Sequence, residues 1–233
     1  MITGGTRLVG LIGDPVADSL SPRMQNAAFA ARGLNWEYAP LRVAEGRLEE
    51  AMRGLVALGF AGANVTAPHK ERAAKLCDVA EGGSVDTLLV KDDGRLVGVN
   101  TDREIVAGLE ARRVCLIGAG GAAKALLAAL PGEVRVFSRS GDWPPDADDC
   151  DLIVNATPVR DALLVQPRSR QAVVDLAYGP EGAETALVAA ARAAGCNEIV
   201  DGLEALVRQG AASFERWTGV PAPIDVMRAA VRR

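Results

Sequence analysis

Short apolar runs bounded by turn residues and apolar residues at helical spacing divide this chain into predicted strands and helices. Strands are predicted at residues 7–12, 37–43, 62–66, 85–90, 95–99, 134–137, 152–157 and 172–176, with another starting at 199. Helices are predicted from Ser21 onward and at 48–58, 104–109, 185–194, 203–217 and 225–232. Strands that alternate with helices imply parallel βαβ units, so the predicted fold class is α/β.

Residues 114–130 are the most informative stretch, because an apolar run is interrupted by glycines and followed by alanines and leucines at helical spacing. This pattern predicts a strand, a tight turn and a helix. Within the turn, Gly118 permits the bend, Gly120 lets a pyrophosphate approach the backbone, and Ala123 lets helix and strand pack closely. Any close strand-to-helix turn could look similar, but the flanking periodicity favours a dinucleotide site, where free N–H groups attract an anion.

The residues after the next predicted strand indicate which dinucleotide is bound. An NAD enzyme places an acid there, on the ribose 2′-hydroxyl. This chain has Ser138, Arg139 and Ser140, starting 20 residues past Gly118. Arginine can pair with a 2′-phosphate and stack on adenine, and the serines add hydroxyls. NADP is therefore favoured over NAD, although Asp142 weakens the positive field.

Composition narrows the function classes. The chain has 233 residues, a net charge of −4 and 49% hydrophobic residues, which fits one large or two small globular domains. Without a clustered basic patch, a nucleic-acid partner is not expected. Neither a signal peptide nor a long apolar run is evident, so we expect a cytoplasmic protein without a membrane partner. Four separated cysteines and a lone His69 favour reduced thiols over a metal site or disulfides.

Several polar residues in the first half of the chain follow predicted strands. Ser21 before Pro22 is typical of a helix N-cap. Together with Ser19 it could also receive a carboxylate, although capping alone would explain Ser21. Lys70 follows the strand at 62–66, where parallel strands place ligands, and a partly buried lysine can exchange protons near neutral pH. His69 is expected to be packed or capping, and Asp102 could cap the helix predicted at 104–109.

Seven motifs, taken together, resemble the shikimate dehydrogenase family over nearly the whole chain. They are Ser19-Leu20-Ser21-Pro22, Asn64-Val65-Thr66-Ala67-Pro68-His69-Lys70, Asn100-Thr101-Asp102, Gly118-Ala119-Gly120-Gly121-Ala122, Ser138-Arg139-Ser140, Asn155-Ala156-Thr157-Pro158 and residues 202–219. The resemblance implies two α/β domains about a cleft. A substrate-binding domain would span 1–102 and be completed by C-terminal helices at 206–233, with an NADP-binding Rossmann domain at 103–205.

The resemblance also implies an activity, which is reversible hydride transfer between NADP(H) and C3 of shikimate or 3-dehydroshikimate. Lys70 and Asp102 would be the catalytic pair. Ser19, Ser21 and Tyr178 would hold the substrate carboxylate, while Thr66, Lys70, Asp102 and Gln209 would meet its hydroxyls. The residues that would bind the cofactor are Gly118, Ala119, Gly120, Gly121, Ala122, Ser138, Arg139, Ser140, Asn155, Ala156, Thr157 and Gly202.

The chain departs from the family pattern at Asp86, where members usually have asparagine, and Asp86 would also face the substrate. Because an ionised aspartate only accepts hydrogen bonds, Asp86 would add a negative charge near Asp102 and favour the protonated form of Lys70. We expect slow or alkaline-shifted shikimate oxidation, or selection of an amino-shikimate. The alternatives are a paralogue acting on quinate or an amino-shikimate, and a non-catalytic nucleotide-binding regulatory protein. A monomer or a homodimer is expected.

Overall fold

The computed structural model describes residues 2–179 and 182–232, and the chain divides into two compact units. The first unit holds the residues up to Thr101 together with 209–231, and the second holds 102–208 and Arg232. Among the described residues, no helix combines the length and the apolar character needed to cross a membrane.

The first unit is built on a six-stranded sheet. Its strands are β1 (Arg7–Gly13), β2 (Trp36–Arg42), β3 (Gly62–Val65), β4 (Val79–Ala80), β5 (Thr87–Val90) and β6 (Leu96–Val99), in the order β2-β1-β3-β5-β6-β4. Strand β1 pairs in parallel with β2 and β3, whereas β5 is antiparallel to both β3 and β6. Strands β5 and β6, predicted at 85–90 and 95–99, form a hairpin, and Gly94 takes the left-handed conformation (φ 82°) that its turn needs.

Helices α1 (Ser21–Ala31), α2 (Leu48–Ala57) and α3 (Lys70–Leu76) belong to this unit with the end of α6 (Gly202–Thr218) and with α7 (Ile224–Val231). Phe29 of α1 stacks on Phe214 of α6 with ring centroids 5.3 Å apart. The indole nitrogen of Trp217 donates to the Leu88 carbonyl over 2.9 Å. These contacts confirm that the C-terminal helices return to the first unit.

The second unit is a Rossmann-type sheet with only parallel pairs among its described strands, which confirms the predicted fold class. Its strands are β7 (Arg113–Ile117), β8 (Glu133–Phe137), β9 (Leu152–Asn155), β10 (Ala172–Asp175) and β11 (Glu198–Val200), in the order β11-β10-β9-β7-β8. Helix α4 (Gly121–Leu127) buries Leu126 in one apolar cluster, and α5 (Ala186–Ala194) buries Leu187 and Ala191 in another.

Three local predictions are wrong. Ser21, predicted as the N-cap, is instead the first residue of α1, and Leu20 occupies the N-cap position. The Ser21 N–H donates to the Ser19 hydroxyl over 3.3 Å. The helix predicted at 104–109 is a short 3₁₀ turn over Asp102–Ile105, because Gly108 adopts a left-handed φ of 80°. Helix α7 begins at Ile224, one residue before its predicted start, so Asp225 lies in its first turn.

Candidate functional site

The glycine turn after β7 has the geometry that the sequence predicts. Gly118 has a φ of 116°, and its N–H donates to the Phe137 carbonyl over 2.8 Å. A Cβ at Gly118 would lie 3.1 Å from the Ala156 carbonyl oxygen, so a side chain is disfavoured by both conformation and space. Ala123 is buried against the sheet, as expected for close helix packing.

Gly120 gives a test of whether a dinucleotide fits here. Its backbone is extended, and a Cβ built on it would meet no atom within 4 Å. The chain's own packing therefore does not explain glycine at this position, whereas close approach of a pyrophosphate does. Ala119 and Gly120 are exposed and Gly121 and Ala122 are half-buried, so this backbone is accessible to a ligand.

A second turn, at the end of β9, lies against the first. Asn155 is buried, and its Oδ1 accepts hydrogen bonds from the N–H and the hydroxyl of Thr157, at 3.1 and 2.7 Å. The Ala156 N–H donates to the Ile117 carbonyl over 2.8 Å. Residues 155–157, predicted to line the cofactor, are thus held at the end of β7.

Asp175, at the end of β10, is a positioning residue that the sequence reasoning missed. Its carboxylate accepts hydrogen bonds from the Asn155 side chain (2.9 Å), the Ala177 N–H (3.0 Å) and the Thr185 hydroxyl. The side chain is fully buried. Asp175 therefore joins the turn of Asn155 to the segment that carries half-buried Tyr178. An acid at the end of a wholly apolar strand is the sequence signal that could have indicated it.

Replacing Asp175 with alanine should lower the free energy of unfolding by about 3 kcal/mol, because three buried donors lose their acceptor and each unsatisfied group costs about 1–3 kcal/mol. Denaturant unfolding of the purified protein measures this. The control is Asp161→Ala, since the Asp161 side chain is 92% exposed. A loss no larger than the control's would show that Asp175 does not organise this region.

The contribution of Asp175 to the stability of the folded protein depends on pH in a definite direction. Burial raises the pKa of Asp175, although its three hydrogen bonds lower it. A raised acid pKa in the folded state means that the stability contribution is fully present below the unfolded pKa and declines as pH rises through the folded value. We expect the stability of the unmodified protein relative to Asp175→Asn to fall from acidic to neutral pH. A relative stability that rises over that range would contradict this sign.

The predicted 2′-phosphate site follows β8. The Ser138 N–H donates to the Asp142 carbonyl over 3.0 Å, and the hydroxyls of Ser138 and Ser140 lie 3.3 Å apart. Arg139 is exposed, and its guanidinium carbon lies 5.9 Å from the centroid of the Trp143 ring. Trp143, which the sequence analysis did not select, thus orients Arg139 through a cation–π contact.

A buried polar network occupies the first unit. The Tyr38 hydroxyl donates to Asn64 Oδ1 over 2.9 Å. Burial raises the pKa of Tyr38 well above its usual range, so the phenol stays protonated. Asn64 Nδ2 donates in turn to the hydroxyls of Thr87 and Ser213, each at 2.9 Å. Tyr38 is therefore joined through Asn64 to Thr87 of β5 and Ser213 of α6.

The same network reaches Asp86. Its Oδ1 accepts hydrogen bonds from the Thr101 N–H (3.0 Å), the Thr101 hydroxyl (2.6 Å) and the Thr87 hydroxyl (2.8 Å). The Asp86 side chain is 3% exposed, and these three donors are all uncharged. Asp102 is the next residue after Thr101 in the chain. Thr101 therefore links the two acids, because it is hydrogen-bonded to Asp86 and directly precedes Asp102.

The other predicted site residues fall in both units. In the first unit, Thr66 follows β3, Lys70 begins α3 half-buried, and Gln209 is half-buried on α6. His69 is buried with Nε2 2.6 Å from the Val43 carbonyl oxygen, which confirms that it is a packed side chain. In the second unit, Asp102 is 5% exposed at the start of its 3₁₀ turn, and Gly202 is buried where a Cβ would lie 2.2 Å from the Ala177 carbonyl oxygen.

Comparison with known proteins gives two family matches. Residues 11–85 match the family described as the shikimate dehydrogenase substrate binding domain, and residues 202–232 match the shikimate 5′-dehydrogenase C-terminal domain. The shikimate dehydrogenase (NADP(+)) of Rubrobacter xylanophilus is 42% identical, over 99% of this chain and 97% of that protein. The match extends over 283 positions, about 50 more than the 233 residues of this chain.

Two solved structures are similar over the full length. The shikimate 5-dehydrogenase from Thermus thermophilus, in complex with NADP(H) and shikimate, has a TM-score of 0.85 at 30% identity and covers 97% of this chain and 99% of its own. The quinate dehydrogenase from Corynebacterium glutamicum, in complex with NAD, has a TM-score of 0.80 at 25% identity and covers 97% and 98%.

Proposed function

The chain belongs to the shikimate dehydrogenase family, and we propose that it catalyses the reversible, NADP-dependent reduction of 3-dehydroshikimate to shikimate. The observation that carries this proposal from the structure is the turn at Gly118–Ala122. The backbone of this turn is accessible, and packing within the chain does not explain why residue 120 is a glycine. NADP, when bound, supplies or accepts the hydride.

The cofactor is held by residues of the second unit. Gly118, Ala119, Gly120, Gly121 and Ala122 offer backbone to its pyrophosphate, and Arg139 pairs with its 2′-phosphate between Ser138 and Ser140. Asn155, Ala156, Thr157 and Gly202 line its remaining length. This assignment is supported by the fixed turn at Asn155 and by the close approach of Gly202 to the Ala177 carbonyl.

The proton is handled by Lys70 and Asp102. In the reducing direction the substrate carbonyl oxygen gains negative charge as its carbon receives hydride. The ammonium group of Lys70 donates a proton from Nζ to that oxygen, which gives the alcohol, and the lysine is reprotonated from solvent. The Asp102 carboxylate favours the ammonium form and accepts a hydrogen bond from a substrate hydroxyl. In the oxidising direction neutral Lys70 takes the proton.

The substrate is oriented by its carboxylate and hydroxyls. Ser19, Ser21 and Tyr178 bind the carboxylate, and Thr66 and Gln209 bind hydroxyls. Support comes from Ser21, because it is buried at the start of α1, and from Ser19, because its oxygen already accepts the Ser21 N–H. A fixed receptor loses little conformational entropy when the substrate arrives.

Reduced-nicotinamide absorbance, followed with the purified protein, tests this function. Shikimate and quinate are each supplied with NADP or NAD from neutral to alkaline pH. We expect the highest kcat/KM with shikimate and NADP. Preference for quinate would replace the substrate assignment, and NADP binding without turnover of any pair would support a regulatory role instead.

Asp86 favours a second candidate substrate, an amino-shikimate whose ammonium group would pair with this carboxylate. The observation is that this aspartate, which stands where the family pattern has asparagine, is held in the polar network by hydrogen bonds from Thr87 and Thr101. The ratio of kcat/KM for an amino-shikimate and for shikimate distinguishes the two. A preference for shikimate removes this candidate.

Replacing Asp86 with asparagine should raise kcat/KM for shikimate about tenfold. A tenfold change corresponds to about 1.4 kcal/mol of free energy, which is roughly the net contribution of one hydrogen bond. The amide oxygen can replace the carboxylate oxygen as an acceptor, while the amide nitrogen adds a donor and the extra negative charge is lost. The activity optimum should move toward neutral pH. Asp92→Asn, in the exposed hairpin turn, is the matched control. An unchanged or lower kcat/KM would show that Asp86 does not slow the enzyme.

A further inference from the structure

Strand β8 forms one edge of the sheet in the second unit. Within the described residues it pairs only with β7. The Glu133 N–H donates to the Arg112 carbonyl, and the Phe137 carbonyl accepts from the Gly118 N–H. Because neighbouring residues of a strand direct their backbone groups to opposite sides, Val134 and Val136 direct theirs away from β7. These groups form an open row along the edge.

Dinucleotide-binding sheets commonly have six strands in the order 3-2-1-4-5-6. Here β7, β8, β9, β10 and β11 take the first, second, fourth, fifth and sixth places. The third place, outside β8, is empty because residues 138–151, all described, run from β8 to β9 without a helix or strand. The Rubrobacter relative, whose match is about 50 positions longer than this chain, has segments that this chain lacks.

The sequence of β8 is complementary to itself. In an antiparallel pair of β8 strands, Val134 and Val136 must lie in hydrogen-bonded positions, since their backbone groups face outward. With Val134 opposite Val134, Glu133 of each strand lies opposite Arg135 of the other. Both side chains are exposed, and such opposite charges stabilise a strand pair.

The neighbouring registers are worse. Pairing Val134 with Val136 places Arg135 opposite Arg135, and like charges directly opposite each other destabilise a pair. Centring the pair on Val136 places Arg135 opposite Phe137, which is buried, so the arginine has no opposite charge to pair with. Of these three registers, the one centred on Val134 is the one that pairs opposite charges, and it places the outward backbone groups of the two Val134 residues opposite each other.

We propose that a second copy of this chain pairs with the open edge of β8, antiparallel and with the two-fold axis between the two Val134 residues. The two Rossmann-type sheets then form one continuous sheet. An exposed edge strand is a template for such addition, and charge pairing selects one register from several. The proposal concerns assembly and does not depend on the proposed activity.

Sedimentation velocity of the full chain over a wide concentration range tests the proposal. We expect a reversible monomer–dimer equilibrium. Arg135→Glu should shift it to monomer, because Glu133 of each strand then faces a glutamate of the other. The double exchange Glu133→Arg with Arg135→Glu should restore the dimer. Arg53→Glu, the same charge change at an exposed position of α2 in the first unit, should leave the dimer unchanged.

Hydrogen exchange on the unmodified protein gives a readout that does not depend on variants folding. The amide of Val134 should exchange more slowly as protein concentration rises, while exposed amides of α2 do not change. A monomer at every concentration, a dimer that Arg135→Glu leaves intact, or a dimer that the double exchange does not restore would each overturn the proposal.

Discussion

Alanine at position 70 is expected to lower kcat for shikimate oxidation about a thousandfold with NADP as the cofactor. General acid–base catalysis by one side chain contributes roughly 10²–10⁴-fold, and alanine offers no group to hold the proton. KM for shikimate should rise less than kcat falls, since Lys70 is only one of several groups proposed to meet the substrate. Steady-state kinetics across pH measure both values.

The control for this substitution is Lys75→Ala, which removes an exposed lysine from the same helix, α3. It should keep its activity. NADP affinity, followed by fluorescence titration, should be unchanged in both variants, because the residues proposed to bind the cofactor lie in the second unit. If Lys70→Ala kept more than a tenth of the activity, Lys70 would not be the proton donor.

The glycine turn could be predicted from sequence because its signal is local. A short apolar run, two glycines at a fixed spacing and a small residue at the third position determine the turn within ten residues of chain, and the structure has this geometry. The hairpin around Gly94 is predictable for the same reason. Neither depends on contacts with distant residues.

The N-cap of α1 could not be predicted in the same way. Serine before proline is usually a cap, but here Ser21 is the first residue of the helix and Leu20 occupies the cap position. Ser21 is buried, so its surroundings are determined by tertiary packing, which a local cap signal does not report. The family resemblance selected Ser21 for its position, whereas only the structure shows that it lies inside the helix.

The polar network behind the proposed substrate residues is equally non-local. Asn64 bonds Ser213, a residue 149 positions further along the chain, and Thr101 bonds Asp86 across 15 positions. No spacing rule connects these residues. A buried polar side chain must find partners, but which partners it finds is decided only in the folded sheet with α6 packed on it.

The edge of β8 is open because no strand follows it at residues 138–151. The sequence from 138 to 151 contains prolines and aspartates without apolar periodicity, and it therefore predicts no strand. What the sequence could not show is that a strand in this place would have paired with β8. That follows only from the observed sheet order, in which β8 is terminal.

Replacing Arg139 with alanine is expected to raise KM for NADP about a hundredfold and to leave KM for NAD within a fewfold of its value. Hydrogen bonds to a charged group contribute about 1.5–3 kcal/mol, and each 1.4 kcal/mol is roughly a factor of ten. The 2′-phosphate, which NAD lacks, is the only cofactor group that this arginine is proposed to pair with. Initial rates with each cofactor at saturating shikimate measure the change.

Trp143→Ala distinguishes the pairing of Arg139 with the phosphate from the orientation of Arg139 by Trp143. The variant keeps the Arg139 guanidinium but removes the ring whose centroid lies 5.9 Å from it. An exposed cation–π contact contributes about 0.5–1 kcal/mol, so the same preference for NADP should fall only about two- to fivefold. Arg160→Ala, an exposed arginine of the same unit, should change neither KM. Equal losses with NADP and NAD in Arg139→Ala would mean that the arginine supports the adenine site as a whole and does not read the phosphate.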